Sequence, residues 1–292
     1  MKMAGSASRV PVAKTHKIYI NGKFPRTESG RYFTLDNEDG GVIANICRGS
    51  RKDFRNAVVA ARKAFPGWSS ASAYLRGQIL YRIAEMLEGR SEQFTAELVT
   101  MGVSKRRARK EVEASIDRLI YYAGWSDKYQ QVFGTVNPVS SSHFNFSVLE
   151  PTGVVSLLAP DGSGLLGLVS NIAPVIVGGN TVVVLASESL PLCAVSFAEV
   201  LHASDVPAGV VNILTGYRHE LRGYFASHMD VNAIIFCDGD AGAAKDIQER
   251  AADNIKRVVS RVGTDWSREQ AQTPYLIQET QETKTTWHPI GS

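Results

Sequence analysis

From Val154 onward the chain alternates two patterns of apolar residues. Short runs almost free of polar interruption, Val154–Ala159, Thr181–Leu185, Val210–Leu214, Asn232–Phe236 and Arg257–Val262, have the length and β-branched content of strands buried on both faces. Helix-length segments lie between them, at Leu165–Val177, Leu192–Ser204, Glu220–Ala226 and Gly242–Asn254. Strand–helix alternation of this kind predicts an α/β fold with a parallel sheet covered on both faces. Right-handed crossovers then make a doubly wound, Rossmann-like sheet the expected topology.

The amino-terminal half has a helical period instead. Asp53 to Trp68 places Val58, Ala61 and Phe65 on one face, with Pro66-Gly67 as the stop signal. A single helix is predicted from Ala73 to Leu98, with Leu80, Ile83, Leu87 and Phe94 at helical spacing. Another is predicted from Glu111 to Gln131, with Ile116, Ile120, Tyr121 and Trp125 turned inward. Ahead of these, Lys17–Ile20 followed by Asn21-Gly22 is a hairpin signal. Residues 1–16 read as a mobile tail without the apolar core of a signal peptide.

Three segments depart from the strand–helix pattern. Residues 132–149 alternate apolar and polar positions and predict a hairpin with one wet face. Residues 264–273 are polar and linker-like, and 275–288 are Thr-rich and predict one long extended segment. Nothing after Val262 reads as a further domain.

Composition narrows the function classes. A net charge of +3 over 292 residues makes no electrostatic case for nucleic acid or an anionic membrane as the main partner. Lys105-Arg106-Arg107-Ala108-Arg109-Lys110 is the one basic cluster, and at the start of a helical segment it reads as a solvated face. No apolar run is long enough to span a bilayer. Cys47, Cys193 and Cys237 lack CxxC spacing, which disfavours a disulfide framework or a zinc site and fits a reducing cytoplasm. No metal site is predicted.

The first βαβ unit carries candidate chemistry. Gly162-Ser-Gly164-Leu-Leu-Gly167 follows a strand and opens a helix, and Glu188 ends the next strand. Gly162, Gly164, Gly167 and Glu188 are therefore the candidate cofactor-binding residues, with NAD or NADP as the ligand. The alternative is glycine drift in a loop that has lost another role. Asp238 and Asp240, at the start of a later helix, oppose an approaching pyrophosphate.

Several stretches together resemble the aldehyde dehydrogenase superfamily. They are Tyr19-Ile-Asn-Gly-Lys-Phe24, Arg76 to Arg90, Glu150-Pro-Thr-Gly-Val-Val155, Ile172-Ala-Pro174, Gly179-Asn-Thr-Val-Val183 and Val206-Pro-Ala-Gly-Val-Val-Asn-Ile-Leu-Thr-Gly216. The resemblance covers residues 17 to 263 and resumes at Glu279–Thr286, which is similar to the family's last strand. It implies a cofactor-binding domain from 17–131 and 150–263, and an oligomerisation arm from 132–149 and 274–292. Residues 264–273 would replace the family's catalytic domain.

Family members use a Cys nucleophile, an Asn oxyanion donor and a Glu base. The nucleophile's Gly-Gln-x-Cys is absent. The loop similar to the family's Pro-Trp-Asn-Phe-Pro is Pro160-Asp161-Gly162-Ser163-Gly164, which puts Gly162 at the donor position. The stretch similar to Glu-Leu-Gly-Gly is Arg261-Val-Gly-Thr264, and an Arg cannot serve as base. The ribose-holding Lys-Pro-x-Glu resembles Leu185-Ala-Ser-Glu188, with the Lys lost. No catalytic residue is therefore predicted, and Cys237 reads as a structural thiol.

Three functions are compatible with this pattern. The first is a subunit inactive alone that assembles with itself or with a full-length aldehyde dehydrogenase. The second is an NAD(P)-binding module. The third is an NAD(P)-dependent oxidoreductase active only with a partner.

Overall fold

The computed structural model describes residues 12–37 and 40–291. A small sheet near the amino terminus contains β1 (Thr15–His16), β2 (Tyr32–Asp36) and β3 (Val42–Cys47). Five helices follow: α1 (Arg51–Ser69), α2 (Ala73–Glu88), α3 (Ser91–Thr100), α4 (Lys105–Trp125) and α5 (Tyr129–Phe133). Next come β4 (Thr135–Asn137) and β5 (His143–Pro151), and then the α/β unit. It runs β6 (Val154–Leu158), α6 (Leu166–Val177), β7 (Thr181–Leu185), α7 (Leu192–His202), β8 (Val211–Leu214), α8 (Arg218–Ser227), β9 (Ala233–Phe236), α9 (Ala241–Ala252) and β10 (Arg257–Ser260). The chain closes with α10 (Tyr275–Gln278) and β11 (Gln281–Pro289).

The central sheet is parallel throughout, in the order β10-β9-β6-β7-β8. Because β6 lies between β7 and β9, the winding direction reverses there. That is the topological switch point, where open α/β sheets place their ligand crevice. Side chains alternate between the two faces. Val154 and Leu158 join Phe54, Val58, Phe225 and Ile247 on the face covered by α1, α8 and α9. Val155 and Leu157 join the α2–α4, α6 and α7 side. With both faces dry, period-two polarity has no place in these strands, as their apolar runs indicate.

The strands and helices predicted after Val154 agree with the structure to within a few residues. Most differences lie earlier. The expected helix 73–98 is two helices broken at Gly89–Arg90, where the Gly89 amide caps α2 by bonding to the carbonyl of Glu85. The break lets α3 aim Phe94 and Leu98 into the core beside Cys193 and Phe197 of α7, and Arg90 pairs with Glu199. Helix α4 starts at Lys105, and its buried face is Val112, Ile116, Leu119 and Tyr122, while Ile120 is exposed. Helix α1 ends at Ser69, one residue past the expected Trp68, with Pro66 inside its last turn. Sequence reasoning missed the β2–β3 hairpin altogether.

Of the expected tail, residues 1–11 lie outside the described residues, while Thr15–His16 pair with β3. Asn21 and Gly22 both have positive φ, at 52° and 70°, as the two central residues of a twisted hairpin turn require. The turn bonds Ile20 to Lys23, and Tyr19 continues the central sheet by bridging Ile213 of β8.

Residues 264–273 are more than a linker. Trp266 and Ala271 are buried, and the buried Arg118 of α4 donates to the carbonyls of both, at 3.2 and 3.0 Å. The same guanidinium bonds to Ser170 Oγ at 2.6 Å and Gln272 Oε1 at 2.9 Å. Truncating it strands several buried acceptors, each costing about 1–3 kcal/mol when left unpaired. Arg118→Met is expected to lower stability by at least about 2 kcal/mol and to open residues 264–273 to trypsin, read by limited proteolysis.

Strands β11, β5 and β4 form a separate antiparallel sheet, in that order. Its β11–β5 register runs from Gln281 opposite Pro151 to Pro289 opposite His143. The expected extended structure is thus present over 143–151 and 281–289, although residues 129–133 and 275–278, the latter inside the segment expected to be extended, are helical.

Candidate active site

The loop after β6 and the loop after β7 are tied together by one carboxylate. Asp161 Oδ1 accepts from the amides of Glu188 at 2.7 Å and Ser189 at 3.0 Å, and from Ser187 Oγ at 3.0 Å. Partial burial opposes the charge of Asp161, but these donors and the nearby Arg218 outweigh it and hold its pKa below the ordinary value. Asp161 in turn donates its own amide to Asp238 Oδ2 in the loop after β9, at 2.5 Å. Arg218, at the start of α8, completes the cluster with Nη1 3.4 Å from Asp238.

The four candidate cofactor residues surround this junction. Gly162 is exposed, and a Cβ there would meet open space. At Gly164 a Cβ would come within 3.0 Å of Leu98 and 3.2 Å of Leu190. Gly167 is the tightest, since a Cβ there would collide with the ring of Pro160. It allows the close packing of α6 on β6 that a third fingerprint glycine provides. Glu188 caps α8, its Oε2 accepting the Arg218 amide at 2.9 Å.

In a dinucleotide fold the pyrophosphate needs unpaired amides at a helix start. Here the amides of Leu165 and Leu166, at the start of α6, point to Glu111 Oε1 at 2.9 and 3.2 Å. The same oxygen accepts from Ser163 Oγ at 2.8 Å, and Ser163 Oγ accepts the Gly167 amide at 2.8 Å. At the start of α9, Asp240 accepts the amide of Ala243 at 2.7 Å. The chain's own acids therefore occupy both helix starts. The space beside Gly164, where backbone and pyrophosphate would approach, is filled by Leu98 and Leu190. In this conformation the residues do not fit a bound pyrophosphate.

Glu111 and Arg218 were invisible as site residues in the sequence. Glu111 lies more than forty positions before the loop it caps, and Arg218 follows a different strand. The only signal was an excess of acids, Asp161, Asp238 and Asp240, in loops that must meet.

Arg261 is buried at the end of β10. Its Nη1 donates to Asn171 Oδ1 at 2.7 Å, and its Nε and Nη2 donate to Glu279 Oε2 at 3.0 and 2.5 Å. The guanidinium thus clamps α6 and α10 to the sheet. No lysine, arginine or histidine adjoins Cys237 in sequence, but folding brings Arg261 near it, and both contact Asn171. Burial nevertheless dominates, pushing the Cys237 thiol up to about 12, and burial also raises Cys193 well above its ordinary value. Cys47 is buried too. Ellman's reagent at pH 8 is accordingly expected to titrate none of the three thiols in the native protein within minutes and all three in guanidinium.

An open crevice of about 730 Å³ lies over the switch point, between the loops after β6 and β9 on one side and α4 on the other. Pro160, Gly162, Cys237 and Gly263 contribute to its walls. No group of three or more His, Cys, Asp or Glu suited to a metal occurs among the described residues. Nor, among them, is any helix long and apolar enough to cross a membrane.

The pattern described as "Aldehyde dehydrogenase family" matches residues 25–265. The chain belongs to the aldehyde dehydrogenase family. Cytosolic aldehyde dehydrogenase 1 of Elephantulus edwardii is 34% identical over 255 residues, covering 85% of this chain and 50% of that protein. Retinal dehydrogenase 2 of Gallus gallus is 36% identical over 257 residues, covering 86% and 49%. The NAD+ complex of an aldehyde dehydrogenase from Bacillus cereus superposes with a TM-score of 0.81 at 28% identity, over 85% of this chain and 51% of that one. The chain spans about half the length of the relatives it matches. The α/β class and the Rossmann-like parallel sheet are those of the family.

Proposed function

We propose that this aldehyde dehydrogenase family protein is catalytically inactive on its own and acts as an assembly subunit, joined to copies of itself or to a full-length aldehyde dehydrogenase. The observation that carries the reading is the β4–β5–β11 sheet. Its outward face holds Val136, Phe144, Phe146 and Val148, aligned by the pairing of Val136 with Phe146 and by alternation along β5. Val136 is 69% and Phe144 45% exposed, and the Phe144 and Phe146 rings lie 5.6 Å apart. An apolar stripe beside a nine-residue edge strand is the surface that soluble proteins ordinarily cover.

The site supports inactivity. Gly162 has no side chain to donate to an oxyanion, and Arg261 is engaged in structural bonds where the family resemblance places a base. NAD or NADP remains the cofactor that family membership suggests. The occupied helix starts argue that this chain holds it weakly. A cytoplasmic location belongs to the same proposal, supported by three buried, unpaired thiols.

Light scattering of the purified protein, alone and mixed with a full-length aldehyde dehydrogenase from the same organism, tests assembly. Aldehyde-dependent NADH formation and NAD+ calorimetry test activity and cofactor binding. A strict monomer that joins no dehydrogenase sinks the assembly role. NADH formation by the isolated chain sinks inactivity.

A further inference from the structure

Helix α4 begins with Lys105, Arg106 and Arg107 and has no acid in its first turn. Cations at a helix start oppose the macrodipole. Among the described residues, Lys105, Arg106, Arg107 and Lys110 form no ion pair, and of the cluster only Arg109 does, with Glu113. Glu111 stands one helical turn after Arg107, but its carboxylate is turned to the start of α6 instead of pairing on the helix surface. Arg106, Arg107 and Lys110 instead line the 730 Å³ crevice.

The acids that share the crevice are committed elsewhere. Glu111 caps α6 and accepts from Ser163. Asp238 is bonded to the Asp161 amide and paired with Arg218. Asp265 accepts from Ser267 and Arg268. Glu111 meets only neutral donors and keeps its charge. Asp238 and Asp265 are paired with Arg218 and Arg268, so Arg106, Arg107 and Lys110 face a single unpaired acid and the crevice is positive on balance. Its deeper wall is apolar, with Pro160, Leu166, Ala114 and Trp266. The helix amides that would cradle a phosphate are taken by Glu111, leaving side-chain cations as the available donors. Arginine forks match a planar carboxylate in two-point contact.

We propose that this crevice binds an amphipathic organic carboxylate, its head group held by Arg106, Arg107 and Lys110 and its apolar body lying against Pro160, Leu166 and Trp266. The site is independent of the assembly reading, because it uses neither β11 nor the outward face of β5. No covalent step is involved.

Calorimetry with an acetate, butyrate, hexanoate and octanoate series in low salt tests the site on the full chain. Octanoate is expected to bind, with affinity rising about fourfold for each CH₂ that becomes buried. Octanol and inorganic phosphate are each expected to bind at least about tenfold more weakly than octanoate, since each lacks one half of the recognition. The exposed triple variant Arg106→Ala/Arg107→Ala/Lys110→Ala is expected to retain its melting temperature and lose at least about tenfold in octanoate affinity. Unchanged octanoate binding by that variant would overturn the proposal. So would equal binding of octanol, equal binding of phosphate, or no octanoate binding at about 10 mM, a concentration well above a millimolar Kd.

Discussion

Replacing Arg261 with glutamate, the residue the family resemblance matches to this position, is expected to destabilise the protein markedly and to create no dehydrogenase activity. Arg261 is buried and spends its donors on Asn171, Glu279 and the carbonyl of Leu276. Glutamate would remove all of them and set a second carboxylate beside Glu279, whose side chain is 37% exposed. Breaking a fully buried pair costs about 3–5 kcal/mol, and the half-open position of Glu279 favours the lower end. A loss of about 3 kcal/mol corresponds to a melting point lower by roughly 6–12 °C in a chain of this size. Arg261→Lys should fall between the two, because it keeps the charge but loses the fork. Differential scanning calorimetry checks the order. Equal melting points for wild type and Arg261→Glu would show that the clamp contributes nothing.

The second large effect concerns assembly. Phe144→Asp combined with Phe146→Asp is expected to reduce the particle to a single 31.8 kDa chain while leaving the domain folded. Both side chains face outward from β5, away from the packed core, so the monomer loses little contact area. An interface stable enough to hold subunits buries upward of about 1,000 Å², and carboxylates at its apolar centre would be desolvated without partners. Light scattering reads the mass and circular dichroism the fold. Retention of the wild-type oligomer by the double variant would place the interface elsewhere.

These two experiments probe parts of the chain that were unequally legible beforehand. The five central strands could be read from their apolar runs because burial on both faces leaves no polar positions. The separate antiparallel sheet could be read from alternation between 132 and 149 and from Thr content near the carboxyl terminus. The α2–α3 break could not, since helical periodicity persists across Gly89–Arg90 and only packing against α7 requires the turn. Nor could the whole buried face of α4, where Ile120, Tyr121 and Trp125 make one side of Ile116 about as apolar as the side of Val112, Leu119 and Tyr122 that is buried with it. The β2–β3 hairpin is short and half exposed, with too weak a pattern to stand out.

The candidate site divides in the same way. Gly162, Gly164, Gly167 and Glu188 could be picked out because their spacing along the chain is itself the signal. That Gly167 serves helix packing, that Glu188 caps α8, and that Glu111 occupies the start of α6 depended on contacts between residues far apart in sequence. The sequence by itself determined the parallel α/β sheet, the family and the absence of the catalytic motifs, since these are written in local pattern and residue identity. Only the tertiary structure decided that Arg261 is a clamp, that Cys237 is buried against Asn171, that residues 264–273 are packed on Arg118, and that the basic start of α4 faces a crevice. Each of those depends on which distant groups share a buried space, and charge, hydrogen bonding and desolvation act through that proximity.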